Sequence, residues 1–455
     1  MTAERWLVVL LLGGIALRAG LWFSYEPIMA PDTPSYMRTA TNLLDRDFST
    51  YDGRRPPGYP VVLALAGGSP RAVWALQMLA GLLISVLLFF IVLSVTGRPG
   101  FAAAIAMTYN LNLAQLFFEA FLVAETTGTL LIVAVLARLV TARNSLGEPG
   151  RSRWPLVELG VLAGAAVLTR PQFILVPPLL GVLVGAASIS RRSHLRRAVR
   201  QASLAALPGV LMILAWSSFN YARVGNFTLS TQIGIGLMNQ SLAFIELAPD
   251  RYGAIRDIYV KHRDAKLAQT GRHNANWDAI PELQAVTGLS LPALSQELTS
   301  LSVYLFLHHP IRYGIGVTRA WIGFWSVPNY WFLDRLSPRW FAAPLLFAWS
   351  IEHGLLRLVN VAFLITSALA LVSRRFRGRI GYDLTLASIS AVVLAASLVQ
   401  ALSEYGENAR YAVPVQALIV VAVALATRRW FEAAASNVAA CPPLAASLAH
   451  RETAR

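Results

Sequence analysis

Long apolar runs dominate the chain, separated by short breaks rich in arginine, glycine or proline. A helical membrane crossing needs about 20 predominantly apolar residues. On that basis the runs over 6–24, 73–96, 101–118, 126–140, 155–169, 173–188, 204–219, 354–372, 380–402 and 411–426 are predicted spans. The apolar run 58–66 is too short to cross and is expected at the membrane edge or as a re-entrant piece. Residues 304–327 and 340–349 are apolar and aromatic, but His308-His309-Pro310, Arg312 and Arg319 interrupt them, so they either cross as a pair or lie in the interface. The one long polar stretch, 220–303, reads as a loop with amphipathic helices. The pattern predicts an all-α polytopic bundle of about 10–12 transmembrane helices.

Composition agrees. Of 455 residues, 56% are hydrophobic and 14% charged, against about 25% charged in soluble domains. The net charge is +15, from 39 basic and 24 acidic residues, and Lys261 and Lys266 are the only lysines. In a soluble chain such a balance would suggest nucleic acid. Here the arginines sit in short loops between apolar runs, as topology signals and lipid-headgroup contacts, so no nucleic-acid partner is expected. Cys441 is the sole cysteine, which excludes an internal disulfide. Residues 6–23 are followed by no small-residue cleavage site and are read as an uncleaved first helix. Arginine placement orients the bundle: Arg98, Arg143/Arg151/Arg153, residues 191–200, 374–379 and Arg428-Arg429 alternate as cytoplasmic loops if the N-terminus is inside. The membrane unit is expected over 1–429, with a first external loop at 25–72 and a second external region of loop and interfacial helices at 220–350. The Ala-rich tail 430–455 is expected to be cytoplasmic and disordered.

This sorting collects the unusual residues on the outer side: Asp32, Arg54, Arg55, Glu119, Glu125, Arg170, Glu404, Glu407 and Arg410. Asn112, Gln115 and Glu119 recur at helical spacing as one polar stripe. Ionisable groups at membrane depth are costly and usually face a functional cavity, although polar residues also bind helices together. A carboxylate can take a proton from an attacking hydroxyl. Arginines can hold a phosphate leaving group through charge-assisted hydrogen bonds. A cavity at the outer edge suits a donor with a wet sugar-phosphate head and a tail in lipid. The expected chemistry is transfer of a sugar from a polyprenyl-phosphate carrier to a lipid, glycan or protein hydroxyl at the outer face of the plasma membrane. Plainer roles exist for each residue. Asp32 before Thr33-Pro34 makes a good helix N-cap. Arg54-Arg55 can snorkel to headgroups, and Pro56-Pro57-Gly58 can be only a turn. Asp45, Asp47 and Asp52 read as a solvated face, and His308-His309 as an interfacial pair. The three acids offer oxygen ligands for a divalent cation, which leaves a metal open, but neither group has recognised metal spacing, so no metal or other cofactor is indicated. A transporter or lipid flippase is the main alternative. It should show paired repeats with matching breaks, and 30–60 has no clear second copy.

Four pieces resemble the GT-C class of membrane glycosyltransferases, closest to the protein O-mannosyltransferase-like and aminoarabinose-transferase-like families. Pro31-Asp32-Thr33-Pro34-Ser35-Tyr36, with Ala40 and Leu43-Leu44, is similar to the Asp motif after the first span. Arg55-Pro56-Pro57-Gly58-Tyr59-Pro60 resembles the basic-Pro-Pro motif that closes that loop. Ala124-Glu125 fits an acidic residue opening the fourth span, and Arg410-Tyr411-Ala412-Val413-Pro414 fits Arg-Tyr-x-x-Pro before the last. The resemblance implies Asp32 as catalytic base and Arg55 as the contact to the lipid-linked phosphate, where relatives often carry Lys. It further implies Arg54, Arg170 and Arg410 as phosphate or headgroup contacts, and Tyr36, Tyr59, Glu125, Glu407 and Tyr411 as substrate-contact candidates. Thr33 departs from the pattern, since many relatives have a second acidic residue there.

Overall fold

The computed structural model describes residues 1–143, 146, 153–191, 194–271, 273–327 and 331–439. Its first half contains α1 (Ala3–Ser24), α2 (Thr33–Asp45), α3 (Gly58–Leu65), α4 (Pro70–Thr96), α5 (Pro99–Leu111), α6 (Leu113–Ala120), α7 (Glu125–Ala142), α8 (Trp154–Thr169), α9 (Val176–Ser190) and α10 (Leu195–Val224). Then come α11 (Ile233–Ser241), α12 (Gly253–Thr270), α13 (Ile280–Thr287), α14 (Leu291–His308), α15 (Pro310–Phe324), α16 (Ala342–Val372), α17 (Arg374–Arg379), α18 (Leu384–Ser403) and α19 (Val413–Ala439). Local signals set several boundaries. Ser69 caps α4 ahead of Pro70, and Gly97 closes it in the left-handed region. The Asp383 side chain accepts from the Thr385 and Leu386 amides at the start of α18.

Among the described residues, eight helices are long and apolar enough to cross a membrane, or nine if α5 and α6 form one bent span. Each of the ten predicted runs falls mainly on helix, but α8 has only 16 residues and falls below the crossing length. Of the two alternatives left for 304–349, a crossing pair or interfacial segments, the described residues show no crossing pair. α15 is a short helix of 15 residues, and residues 342–349 form the first part of α16, one uninterrupted helix of 31 residues, after a 3-10 turn at Arg339–Phe341. The predicted span 101–118 is bent by 53° after Leu111. Asn112 makes the break, because its Oδ1 accepts from the Gln115 amide at 2.9 Å, a side-chain bond that competes with the helix. The polar stripe expected there is therefore split. Gln115 donates to the Val413 carbonyl at 2.6 Å. Glu119 pairs with Arg18 at 2.6 Å, and both are buried. α19 runs to Ala439, so the first part of the expected disordered tail is helical. Residues 440–455, with Cys441, lie outside the described residues, as do Arg151, Arg192 and Ser193.

The main core joins α1, α4, α5, α7, α8, α9, α18 and α19 through side chains such as Leu10, Ile84, Ile132, Leu159 and Leu418. Residues 233–305 carry a core of their own, built on Ile235, Met238, Tyr259, Leu283 and Leu298. The loop between α1 and α4 is held by a satellite cluster of Tyr36, Tyr59, Leu63, Val73 and Leu122. A single β-bridge ties that loop to the start of α7: the Ile28 amide donates to Ala120 O at 2.8 Å, and the Leu122 amide to Ile28 O at 3.0 Å. Thr33 completes the tie. Its buried hydroxyl accepts from the Ala30 amide and donates to Leu122 O, both at 2.9 Å.

Candidate functional site

The ends of five elements meet at one end of the bundle. Asp32 precedes α2, Arg55 lies just before α3, and Glu125 is the first residue of α7. Arg170 follows α8, and Arg410 sits in the turn Asn408–Ala412 before α19. Each is at a helix break, so hundreds of residues of separation in sequence become a few ångströms. The Arg55 Nη2 donates to Asp32 Oδ1 at 2.6 Å, and Arg410 Nη1 donates to Asp32 Oδ2 at 3.1 Å. Arg410 Nε also donates to Glu125 Oε1, which Arg170 Nη1 approaches to 2.8 Å. The result is an alternating chain, Arg55–Asp32–Arg410–Glu125–Arg170.

Asp32 stands at the N-cap position of α2, but its side chain makes no capping bond. Both carboxylate oxygens are committed to arginines. Burial alone would raise its pKa, but the Arg55 and Arg410 charges outweigh it and hold the carboxyl well below the usual range. Arg55 is held in turn. Its Nε donates to Ser35 Oγ at 2.7 Å, its Nη1 to the Tyr36 hydroxyl at 3.2 Å, and its guanidinium lies 4.1 Å from the Tyr36 ring centre. Gly58 permits this placement, because a Cβ there would come within 2.8 Å of Leu168 O and Thr169 Cα on the neighbouring helix. On the far side, Arg170 Nε donates to Gln172 Oε1 at 3.2 Å and its guanidinium lies 5.2 Å from the Tyr411 ring.

These residues line a cavity of about 490 Å³, within the usual range for small-molecule sites. Asp32, Tyr36, Arg55, Arg170, Arg410 and Tyr411 face it together with Thr169, Gln172, Gln400, Ser403 and Glu404. Ile174, Ile213, Leu214, Phe227, Ile233 and Val399 supply an apolar wall. Ile174, Leu214, Phe227 and Ile233 are exposed on the protein surface, so the apolar wall continues to the outside. Glu125 is fully buried behind the cavity. The other candidates lie elsewhere. Arg54 turns away, its guanidinium 4.6 Å from the Trp277 ring. Tyr59 is buried and donates to Gln77 Oε1 at 3.0 Å. Glu407 is an exposed partner of Arg410 at 3.3 Å. Among the described residues, no three His, Cys, Asp or Glu side chains gather as metal ligands. Counted with the exposed Glu407, three carboxylates match three guanidiniums; Glu407 is screened by solvent, so the buried part of the cluster, Arg55, Arg170 and Arg410 against Asp32 and Glu125, has an excess of one positive charge, which suits an anion in the cavity.

Sequence reasoning put Glu404 at the outer edge but not in the site, and it did not single out Gln172, Gln400 or Ser403. The available signal was position: 400 and 403 share the last turn of a span, and 404 follows it directly, just before the Arg410 motif. Asn239 Nδ2 donates to Glu404 Oε1 at 2.6 Å. Burial, with smaller contributions from the Glu407 and Asp32 charges, pushes the Glu404 carboxyl up to about 8 against that bond.

No family model and no curated protein matches the chain. Among solved structures it is similar to the archaeal oligosaccharyltransferase AglB from Archaeoglobus fulgidus, in complex with an inhibitory peptide and a dolichol-phosphate. The TM-score is 0.50 at 16% identity, over 94% of this chain and 50% of that one. The apo form of the Archaeoglobus fulgidus oligosaccharyltransferase gives 0.51 at 15% identity with the same coverage. The chain thus spans about half the length of those structures. ArnT from Cupriavidus metallidurans, bound to undecaprenyl phosphate, aligns over 94% of this chain and 78% of that one at 16% identity, but with a TM-score of 0.33. At these identities the likeness concerns the fold: an all-α polytopic membrane fold of the GT-C type.

Proposed function

We propose that the protein is a membrane glycosyltransferase that moves a sugar from a polyprenyl-phosphate carrier to an acceptor hydroxyl, at the outer face of the plasma membrane. The observation that carries this reading is the Arg55–Asp32–Arg410–Glu125–Arg170 chain on a cavity with one apolar wall. The excess positive charge matches a phosphodiester, which carries one negative charge. The apolar wall, continuous with exposed Leu214 and Phe227, matches a lipid tail. Sidedness comes from the arginine loops, which collect at the opposite end of the bundle. There Arg143 donates to Ser94 O at 2.9 Å, and Arg429 pairs with Asp383 at 3.0 Å.

In the reaction, the acceptor oxygen attacks the anomeric carbon, the bond from that carbon to the phosphate oxygen breaks, and its electron pair stays on the phosphate. The hydroxyl proton passes to the Asp32 carboxylate. The phosphate gains the negative charge that Asp32 gives up, and Arg55 and Arg410 follow that charge. This answers a difficulty in the unliganded geometry: a carboxylate clamped by two arginines is a poor base. A phosphate that draws Arg55 and Arg410 toward itself relieves Asp32 of part of that stabilisation and raises its basicity. Glu125 and Arg170 hold the far side of Arg410 and keep its fork aimed at the cavity. The test is transfer by purified protein in lipid nanodiscs, using a panel of radiolabelled polyprenyl-phosphate sugars with membrane lipid, glycan and peptide acceptors. The reading expects label in an acceptor only when a lipid-linked donor is supplied. Transfer from a nucleotide sugar alone, or none with any lipid-linked donor, would overturn it.

A further inference from the structure

The arginine cluster accounts for part of the cavity lining. The end of α18 brings to the same cavity a second set of polar groups that the proton and phosphate chemistry does not use. Gln400 is almost fully buried on α18 and lines the cavity. Among the described residues, neither its Oε1 nor its Nε2 has a hydrogen-bond partner. A buried primary amide left without partners is costly, so its occurrence calls for a missing ligand or water. It is also a bifunctional group, able to accept at the oxygen and donate twice at the nitrogen. One turn on, Ser403 donates its hydroxyl to Val399 O at 2.8 Å and keeps its oxygen free to accept. Glu404 follows, with Oε1 taken by Asn239 at 2.6 Å. Its Oε2 lies beside Gly236, where a Cβ would stand 3.1 Å away, so the small residue leaves that oxygen room on the cavity side.

Resting on the glycosyl-transfer reading, we propose that Gln400, Ser403 and Glu404 form a hydroxyl-recognising subsite that seats the neutral glycosyl group of the donor, in the same cavity as the arginines that take its phosphate. A polyol is the ligand class that suits paired donors and acceptors on short spacing, since each hydroxyl both gives and takes a hydrogen bond. The raised pKa of Glu404 agrees: near neutrality its carboxyl is largely protonated, so it too can donate as well as accept.

The test is equilibrium binding to the full chain in nanodiscs. The probes are undecaprenyl phosphate alone, and undecaprenyl phosphate bearing mannose, glucose, galactose, an amino sugar or a uronic acid. The parent is expected to bind at least one neutral-sugar probe about tenfold or more tighter than the bare phosphate, the scale of one or two hydrogen bonds. Gln400→Leu and Glu404→Leu should erase that preference while binding bare undecaprenyl phosphate as the parent does, which also serves as their folding control. Glu404→Gln, neutral at every pH, should keep it. Equal affinity of the parent for bare and glycosylated probes would overturn the subsite and leave the phosphate site standing. A preference for a charged sugar, or an undiminished preference in Gln400→Leu, would also overturn it. Failure of the parent to bind any of these probes would instead remove the glycosyl-transfer reading on which the subsite rests.

Discussion

Arg55 and Glu404 show how single side chains divide the work at this site. Arg55 makes a charge-assisted bond to Asp32, bonds to Ser35 and Tyr36, and a ring contact with Tyr36. Lysine can supply the charge but not the planar fork. Arg55→Ala is therefore expected to abolish donor use, and Arg55→Lys to retain a measurable part of it, read as kcat/KM for the lipid-linked donor. Parental kcat/KM in Arg55→Ala would remove Arg55 from the site. Glu404 gives a pH signature of known sign. An unfolded chain ionises this group near 4.5, whereas in the folded protein it holds its proton up to about 8. Between these values the native state binds more protons than the unfolded one, so this group makes stability fall as pH rises, and the loss is complete above about 8. Glu404→Gln should melt like the parent at pH 4 and above it at pH 8, in parallel thermal melts. No difference at either pH would mean that Glu404 ionises normally. Asp32 has the opposite sign. Its lowered pKa supports the fold above the ordinary carboxylate range, and that support is lost as pH falls through the folded value.

At the level of elements, the site depends on close approaches between helix ends. α3 seats against the end of α8 only because residue 58 has no side chain. In Gly58→Ala the new Cβ meets the Thr169 hydroxyl and, at 2.8 Å, the backbone atoms Leu168 O and Thr169 Cα, which cannot rotate aside, and the expected cost is about 1–3 kcal/mol, seen as a lower melting temperature. Gly128 is different. A Cβ there would lie 2.8 Å from Arg170 Cδ, the middle of a flexible side chain, so a substitution should shift Arg170 more than it destabilises the helix. Farther along the bundle, Arg18 Nε and Nη2 form a bidentate pair with Glu119, and Arg18 Nη1 reaches Asn110 at 3.0 Å. Removing one partner leaves a buried charge uncompensated, at about 3–5 kcal/mol. Arg18→Leu should therefore lower the melting temperature clearly, whereas Arg18→Leu with Glu119→Leu should recover much of it. An additive double mutant would show that the two residues do not act as a pair.

For the whole molecule, the apolar runs announced nearly every long helix, and arginine placement sorted helix ends into two groups before any coordinates. Composition and period carry that information directly. Asp32, Arg55, Glu125, Arg170 and Arg410 stood out because a charged residue at the edge of an apolar run is conspicuous. Their pairing was not legible, since which carboxylate meets which arginine depends on tertiary packing, as with the Thr33 hydroxyl that locks the first loop to Leu122. Gln400 and Ser403 were overlooked because a neutral polar residue inside a span reads like any helix contact. The break after Leu111 was missed for a similar reason: Asn112 looked like part of a helical stripe, and its capping bond appears only in three dimensions. Sidedness is open to test: cysteine at Ser49, in a Cys441→Ser background, should react with a membrane-impermeant label from outside. Labelling only after permeabilisation would place the cavity on the wrong face.

The most direct measurement concerns Asp32. If it only capped α2, Asn would replace it at little cost, because Asn caps about as well, and its side chain makes no such bond in any case. As the group that takes the acceptor proton, it cannot be replaced by an amide. Single-turnover transfer by Asp32→Asn, measured beside donor binding and thermal stability, is expected to fall by about 10²-fold or more while the variant still binds donor and remains folded. Transfer at nearly the parental rate by the folded, donor-bound variant would contradict the account.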